Sequence, residues 1–292
     1  EIAARVMNGD ENYSFDHIKQ VLEKSNADPN SDTFKEYASD IKFVLEQSAP
    51  SGRFSYAIPV LQEKTTGAGR ENLIIVFGRP EVGKSSFVAH NNIGYLRQGL
   101  SVAYFGNEEP LHKIMLNHIR AALEKNDDEL RELNNVAAHE GWNTIRDKFH
   151  LFDASGMSIS DTGNIIANCG ADVFVFDQTD KFSINNKYGE NRERLKALYV
   201  KTREIAKDSK CLGIDVSQAS ALAEGKIFLG YDMLDESRTG KPGEADVIIG
   251  IAKNPNVEED GMRHLCLSKN KINGWHGRVT VAFDYERNKW FN

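Results

Sequence analysis

The segment VFGRPEVGKSSF, Val76 to Phe87, carries the residues whose spacing most directly predicts chemistry. Gly78 to Ser85 fits G-x-x-x-x-G-K-[ST], the pattern of a loop that cradles phosphates between a strand and a helix. The backbone of Gly78, Arg79, Pro80, Glu81, Val82, Gly83 and Ser86 wraps around a triphosphate in such a loop. Lys84 neutralises the β and γ oxygens, and the Ser85 hydroxyl completes a magnesium shell. The expected ligands are therefore ATP, or another nucleoside triphosphate, and Mg²⁺.

A loop of this kind needs a second metal contact, an acidic residue at the end of a neighbouring apolar strand. DVFVFD supplies Asp177 and FHLFD supplies Asp153. Asp177 ends the better strand, and carboxylates delivered at strand C-termini lie where open α/β sheets bind ligands. Hydrolysis also needs a group that orients or deprotonates water. VAYFGNEEP places Glu108 and Glu109 just past the strand that follows the loop's own helix.

The surrounding pattern supplies the elements that must position these groups. From about Phe54, short runs rich in β-branched residues (73–78, 101–106, 149–153, 172–177, 211–217 and 245–252) alternate with helical segments. That alternation predicts a mostly parallel sheet with crossover helices. RHLCLSKNK and GRVTVAFDYERNKWFN predict a closing antiparallel hairpin. The first fifty residues read as two amphipathic helices, with Phe15, Ile18, Val21 and Leu22 on one and Phe34, Tyr37, Ile41, Val44 and Leu45 on the other. The expected organisation is a helical appendage or linker over 1–52 and one α/β domain over 53–292.

Composition narrows the class. The chain has 292 residues, 40% of them hydrophobic, enough for a sizeable core. Its net charge of −7 argues against a surface that coats nucleic acid, while leaving room for a local basic site. No run approaches the roughly 18 apolar residues of a membrane span and no signal peptide opens the chain, which predicts a cytoplasmic protein without a membrane partner. Cys169, Cys211 and Cys266 are odd in number and far apart, so buried thiols are expected rather than a disulfide framework or zinc site. The chain opens on Glu1 rather than Met, which predicts a fragment or processed form lacking an upstream domain.

With these elements in order, the chain resembles the ATPase domain of DnaB-type replicative helicases, phage or bacterial, from about Arg53 to Asn292. GRPEVGKSSF resembles that family's phosphate loop, and VAYFGNEEP its segment with a catalytic glutamate. The resemblance implies a RecA-like fold, Glu108 as the water-activating base and Asp177 as the metal ligand. DVSQASALAEGKIFLGYDMLDESRTGKPGEADVIIGIAKN is similar to the family's longest motif. By that likeness Gln218 senses the γ-phosphate, and Lys226, Glu236, Ser237, Arg238 and Lys241 contact single-stranded DNA in a central channel.

LSKNKINGWHGRVTVAFDYERNKWF resembles the closing hairpin that reaches into a neighbour's nucleotide. Where the family pattern is Lys-x-Arg-Asn-Gly, this chain has Lys269 and Lys271. Lys271 is the expected trans finger with Lys269 beside it, and Arg278 is the alternative. A lysine binds phosphate as a point charge, without the planar fork of arginine. Asp235 stands at another position where the family has arginine. The implied function is a homo-hexameric ring that uses ATP to move on single-stranded DNA and unwind duplex, with a primase or helicase loader as possible partner. A recombinase or clock-type ATPase, and a non-processive ATP-binding adaptor, are the alternatives.

Overall fold

Six apolar runs between turns form the parallel strands, because residues that are buried on both faces have no use for polar alternation. The computed structural model describes residues 41–42, 49, 52–133, 141–184, 188–235, 240–254 and 261–292. The chain divides into two units, Glu1–Ala49 and Pro50–Asn292. The helical appendage expected over 1–52 falls almost wholly outside the described residues, as do Glu236, Ser237 and Arg238.

In the second unit a two-residue pair, β1 (Arg53–Phe54) and β2 (Ala68–Gly69), flanks α1 (Pro59–Thr65). The alternating region follows: β3 (Leu73–Gly78), α2 (Lys84–Arg97), β4 (Val102–Gly106), α3 (Leu111–Leu123), the short α4 (Asp127–Arg131), β5 (Phe149–Asp153) and α5 (Ile159–Cys169). It continues through β6 (Val173–Asp177), α6 (Asn191–Asp208), β7 (Leu212–Gln218), α7 (Gly240–Glu244) and β8 (Val247–Lys253). The chain closes with β9 (Met262–Asn270), β10 (Gly277–Asp284) and β11 (Lys289–Phe291).

These strands make one nine-stranded sheet in the order β11-β10-β9-β8-β3-β7-β6-β4-β5. Strands β8, β3, β7, β6, β4 and β5 run parallel, and β9 to β11 are antiparallel. The anticipated hairpin is β9–β10, and β11 adds a third antiparallel strand. Its Trp290 is 2% exposed and packs on Phe87 of α2 and Phe283 of β10, which ties the last strand to the helix behind the phosphate loop.

Alternation along each strand sends side chains to two apolar layers. Ile74, Val76, Tyr104, Val175 and Ile214 join Phe87 and Ile93 of α2 on one face. Ile75, Phe77, Phe105 and Phe174 join Ile166 of α5 and Leu198 of α6 on the other. Cys211 and Cys266 are buried thiols, and Cys169 is half-buried.

Candidate nucleotide site

The phosphate loop runs from the C-terminal end of β3 into the first turn of α2. Gly83, at φ +99°, is the residue from which α2 starts, a backbone conformation that a side chain disfavours. At Gly78 a Cβ would lie 2.7 Å from the Ile251 carbonyl oxygen and 2.8 Å from Val82, so only glycine lets β8 approach. Lys84 follows, 8% exposed, and its ammonium donates to the Arg79 carbonyl oxygen at 3.1 Å. Burial pushes Lys84 down from the ordinary lysine range, while the carboxylates of Asp177 and Glu108 oppose that shift.

Because Val173 and Val175 face α2, so does Asp177 two residues on. Its Oδ2 accepts from the Ser85 hydroxyl at 2.8 Å and from the Tyr104 hydroxyl on β4. Its Oδ1 is buried and takes no hydrogen bond among the described residues. Burial pushes the Asp177 carboxyl up, and the two hydroxyl donors hold it back. A buried carboxylate oxygen without a donor, next to a serine hydroxyl, fits a magnesium ion with its waters. Asp153, by contrast, ends edge strand β5, exposed, and its carboxylate accepts from the Ser155 amide at 2.9 Å.

Glu108 follows β4 and is part-exposed. Gln178 donates to its Oε2, and the Lys181 ammonium stands 3.1 Å from Oε1. Glu109 is exposed beside it. Gln218 ends β7 opposite Gly78 in the register. Lys84, Ser85, Glu108, Glu109 and Gln218 line one cleft of ≈ 880 Å³, with Arg263, Phe283 and Tyr285 at its other wall. Sequence reasoning missed Arg263, whose Nε donates to the Val82 carbonyl oxygen at 3.0 Å and whose guanidinium lies over the Phe283 ring. Tyr104 was also missed. Neither position carries a local signal, since each depends on which strands are neighbours.

Lys269 and Lys271 lie elsewhere. β9 runs antiparallel to β8 with Asn270 opposite Val247, so both lysines sit at the N-terminal end of the parallel strands. The phosphate loop is at the C-terminal end. Lys271 is half-exposed, 4.0 Å from Asp246, which also pairs with Arg203. Lys269 donates to the Pro242 carbonyl oxygen, and burial with neighbouring Lys271 pushes it down. Arg278 on β10 is exposed and opposite Cys266.

Lys226 is exposed and lines a second cavity of ≈ 510 Å³ with Arg79, Glu224 and Lys253. The assignment of Lys241 to DNA contact is corrected by the structure. Its side chain is fully buried and its ammonium donates to Asp180 at 2.7 Å. An ammonium held by a carboxylate in the interior is not presented to a nucleic-acid backbone.

A glycine-rich loop between strand and helix, an acidic strand end against its serine and a mostly parallel sheet together define a RecA-like P-loop nucleotide-binding domain. The family model of the DnaB-like helicase C terminal domain matches residues 55–292, and the chain belongs to that family. It is 25% identical over 252 residues to the replicative DNA helicase DnaC of Bacillus subtilis (strain 168), and equally to the replicative DNA helicase DnaB of Geobacillus stearothermophilus. Each alignment takes in 80% of this chain and 55% of the relative, so the chain spans about half the length of the curated relatives it matches.

The fold is similar to that of a solved ATPase domain, with a TM-score of 0.73 at 17% identity, over 88% of this chain and 99% of that one. It is similar also to a DnaB-like replicative helicase solved in a study of its interactions with primase. There the TM-score is 0.72 at 18% identity, over 100% of this chain and 75% of that one.

Proposed function

We propose that the chain is the motor domain of a ring-shaped replicative helicase, hydrolysing ATP to move on single-stranded DNA and unwind duplex. The observation that carries this reading is the separation of the phosphate loop from Lys269 and Lys271 at opposite ends of the sheet. A head-to-tail arrangement of identical chains brings one end against the other, and such heterologous contacts close into rings. A homo-hexamer gives each nucleotide a cradle from one subunit and lysines from the next.

In that arrangement the loop backbone and Lys84 bind the triphosphate, and Ser85 with Asp177 would hold the magnesium ion. When bound, that ion neutralises charge on the β- and γ-phosphate oxygens. Glu108 orients the attacking water and takes its proton. Its bond from Gln178 and its pairing with Lys181 fix the carboxylate at the mouth of the cleft. Gln218, at the end of β7 beside the strand that leads into the loop, reports the γ-phosphate to the segment that follows β7. Lys271, with Lys269, meets charge developing on the neighbour's phosphoryl group.

Lys226 and Arg238, with the main-chain amides around Glu236 and Ser237, are assigned to the phosphate backbone of single-stranded DNA, so binding is sequence-tolerant and salt-sensitive. A primase or helicase loader is the further partner proposed by likeness to the replicative helicases. ATP-dependent unwinding of a forked duplex, measured beside single-strand-stimulated hydrolysis, tests the reading. Stimulated hydrolysis without unwinding favours a recombinase or an adaptor instead.

A further inference from the structure

The fully buried Lys241 calls for a reason beyond stability. Its ammonium donates to Asp180 Oδ2 at 2.7 Å and to Ser217 Oγ at 3.1 Å, and lies 5.4 Å from the centroid of the Tyr199 ring. Ser217 in turn donates to Asp180 Oδ2 at 3.0 Å, and the Tyr199 hydroxyl donates to Oδ1 at 3.1 Å. Both Asp180 carboxylate oxygens and the Ser217 hydroxyl have partners in this cluster. A buried ion pair of this kind seldom adds stability over apolar residues of the same size, and its best-attested use is to fix register or to switch.

The positions of the three polypeptide segments in this cluster say what register it fixes. Asp180 lies three residues beyond Asp177, in the turn that leaves β6. Ser217 precedes Gln218 on β7, and alternation turns these neighbours to opposite faces: Gln218 to the nucleotide cleft, Ser217 to Lys241. Lys241 itself is on α7. Asp235 donates its amide to the Gln218 carbonyl oxygen at 3.1 Å.

We propose that Lys241 is a positioning residue that couples the nucleotide site to α7, one ammonium gripping both strand ends that face the nucleotide. A displacement of Asp177 or Gln218 on nucleotide binding then moves Asp180 or Ser217, and the ammonium carries that movement to α7. The proposal rests on the nucleotide-binding part of that reading and not on the DNA assignments.

The test uses the double variant Asp180→Asn/Lys241→Met, which removes both charges together and so avoids stranding one of them in the interior. Amide hydrogen exchange over Gly240–Glu244 is measured with and without Mg²⁺ and a non-hydrolysable ATP analogue, together with nucleotide affinity and melting temperature. In the unaltered chain, nucleotide is expected to change exchange at these amides about tenfold. In the folded double variant, nucleotide affinity stays within about twofold and that response falls to less than twofold.

A folded double variant that keeps the full response overturns the proposal, because the pair is then only structural. An unaltered chain with no response overturns it equally. Ser217→Ala, which removes one grip and leaves the ion pair, is the safeguard if the double variant does not fold. It is expected to cut the response to about a third, and an undiminished response refutes the coupling. Because no DNA enters this measurement, the coupling can fail while single-strand-stimulated hydrolysis survives, and the converse.

Discussion

Mixing Lys84→Ala subunits with Lys271→Ala subunits should restore hydrolysis that neither variant has alone. Lys271 lies past Asn270, which pairs with Val247 at the start of β8, whereas Lys84 lies past the end of β3. Five steps of about 3.3 Å along β3 separate those ends by roughly 17 Å, further than a lysine side chain reaches. Lys271 therefore cannot serve the site of its own chain. Loss of a trans charge at a transferring phosphoryl group typically costs about 10³–10⁵ in rate. That corresponds to roughly 4–7 kcal/mol of barrier.

A lysine, lacking the bidentate fork, belongs near the lower end of that range, so Lys271→Ala alone is expected to lose about 10³. In a randomly mixed equimolar ring a site is whole when a Lys271→Ala subunit supplies the cradle and a Lys84→Ala neighbour supplies the finger. That happens at about one quarter of the interfaces of a closed heterologous ring. Steady-state phosphate release across mixing ratios should pass through a maximum more than a hundredfold above either parent. Activity that follows the weighted mean of the two parents at every ratio would refute the shared site.

Further expectations follow from single contacts. Glu108→Gln should leave nucleotide affinity within about threefold and lower turnover by about 10² or more, as loss of a general base does; near-normal single-turnover hydrolysis would move the base elsewhere. Tyr104→Phe removes a donor to the buried Asp177 carboxylate and should cost about 1–3 kcal/mol in urea unfolding without nucleotide. His118 is buried, donates through Nδ1 to the Ile114 carbonyl oxygen and accepts from Asn92, and burial pushes its imidazole down to about 4. The unfolded chain, titrating near 6.5, binds the extra proton between these values. The stability His118 contributes is present above about pH 6.5 and lost as pH falls toward 4, by up to about 1.4 kcal/mol per pH unit. His118→Gln should remove its share of that slope; His90, whose imidazole burial also pushes down to about 4, contributes in the same direction.

Local chemistry was legible in the sequence and cross-strand chemistry was not. The phosphate loop needs only contiguous residues, so Gly78 to Ser85 could be read directly. The six parallel strands showed because burial on both faces leaves uninterrupted apolar runs. Their order did not, since any run pairs equally well with any other until crossovers fix its place. Tyr104 meets Asp177 only because β4 lies beside β6, and Arg263 meets Val82 only because β9 follows β8 in the sheet. Lys241 misled for the same reason. In sequence it is a charge in a polar stretch, and its burial depends on Asp180 and Ser217, 61 and 24 residues away along the chain.

The most direct test of the motor reading is forked-duplex unwinding with ATP and Mg²⁺, run beside hydrolysis with and without single-stranded DNA. The account predicts ATP-dependent strand separation, hydrolysis stimulated at least several-fold by single strands of any sequence, and loss of both in Lys84→Ala. Hydrolysis indifferent to single-stranded DNA, with the duplex left intact, would contradict it.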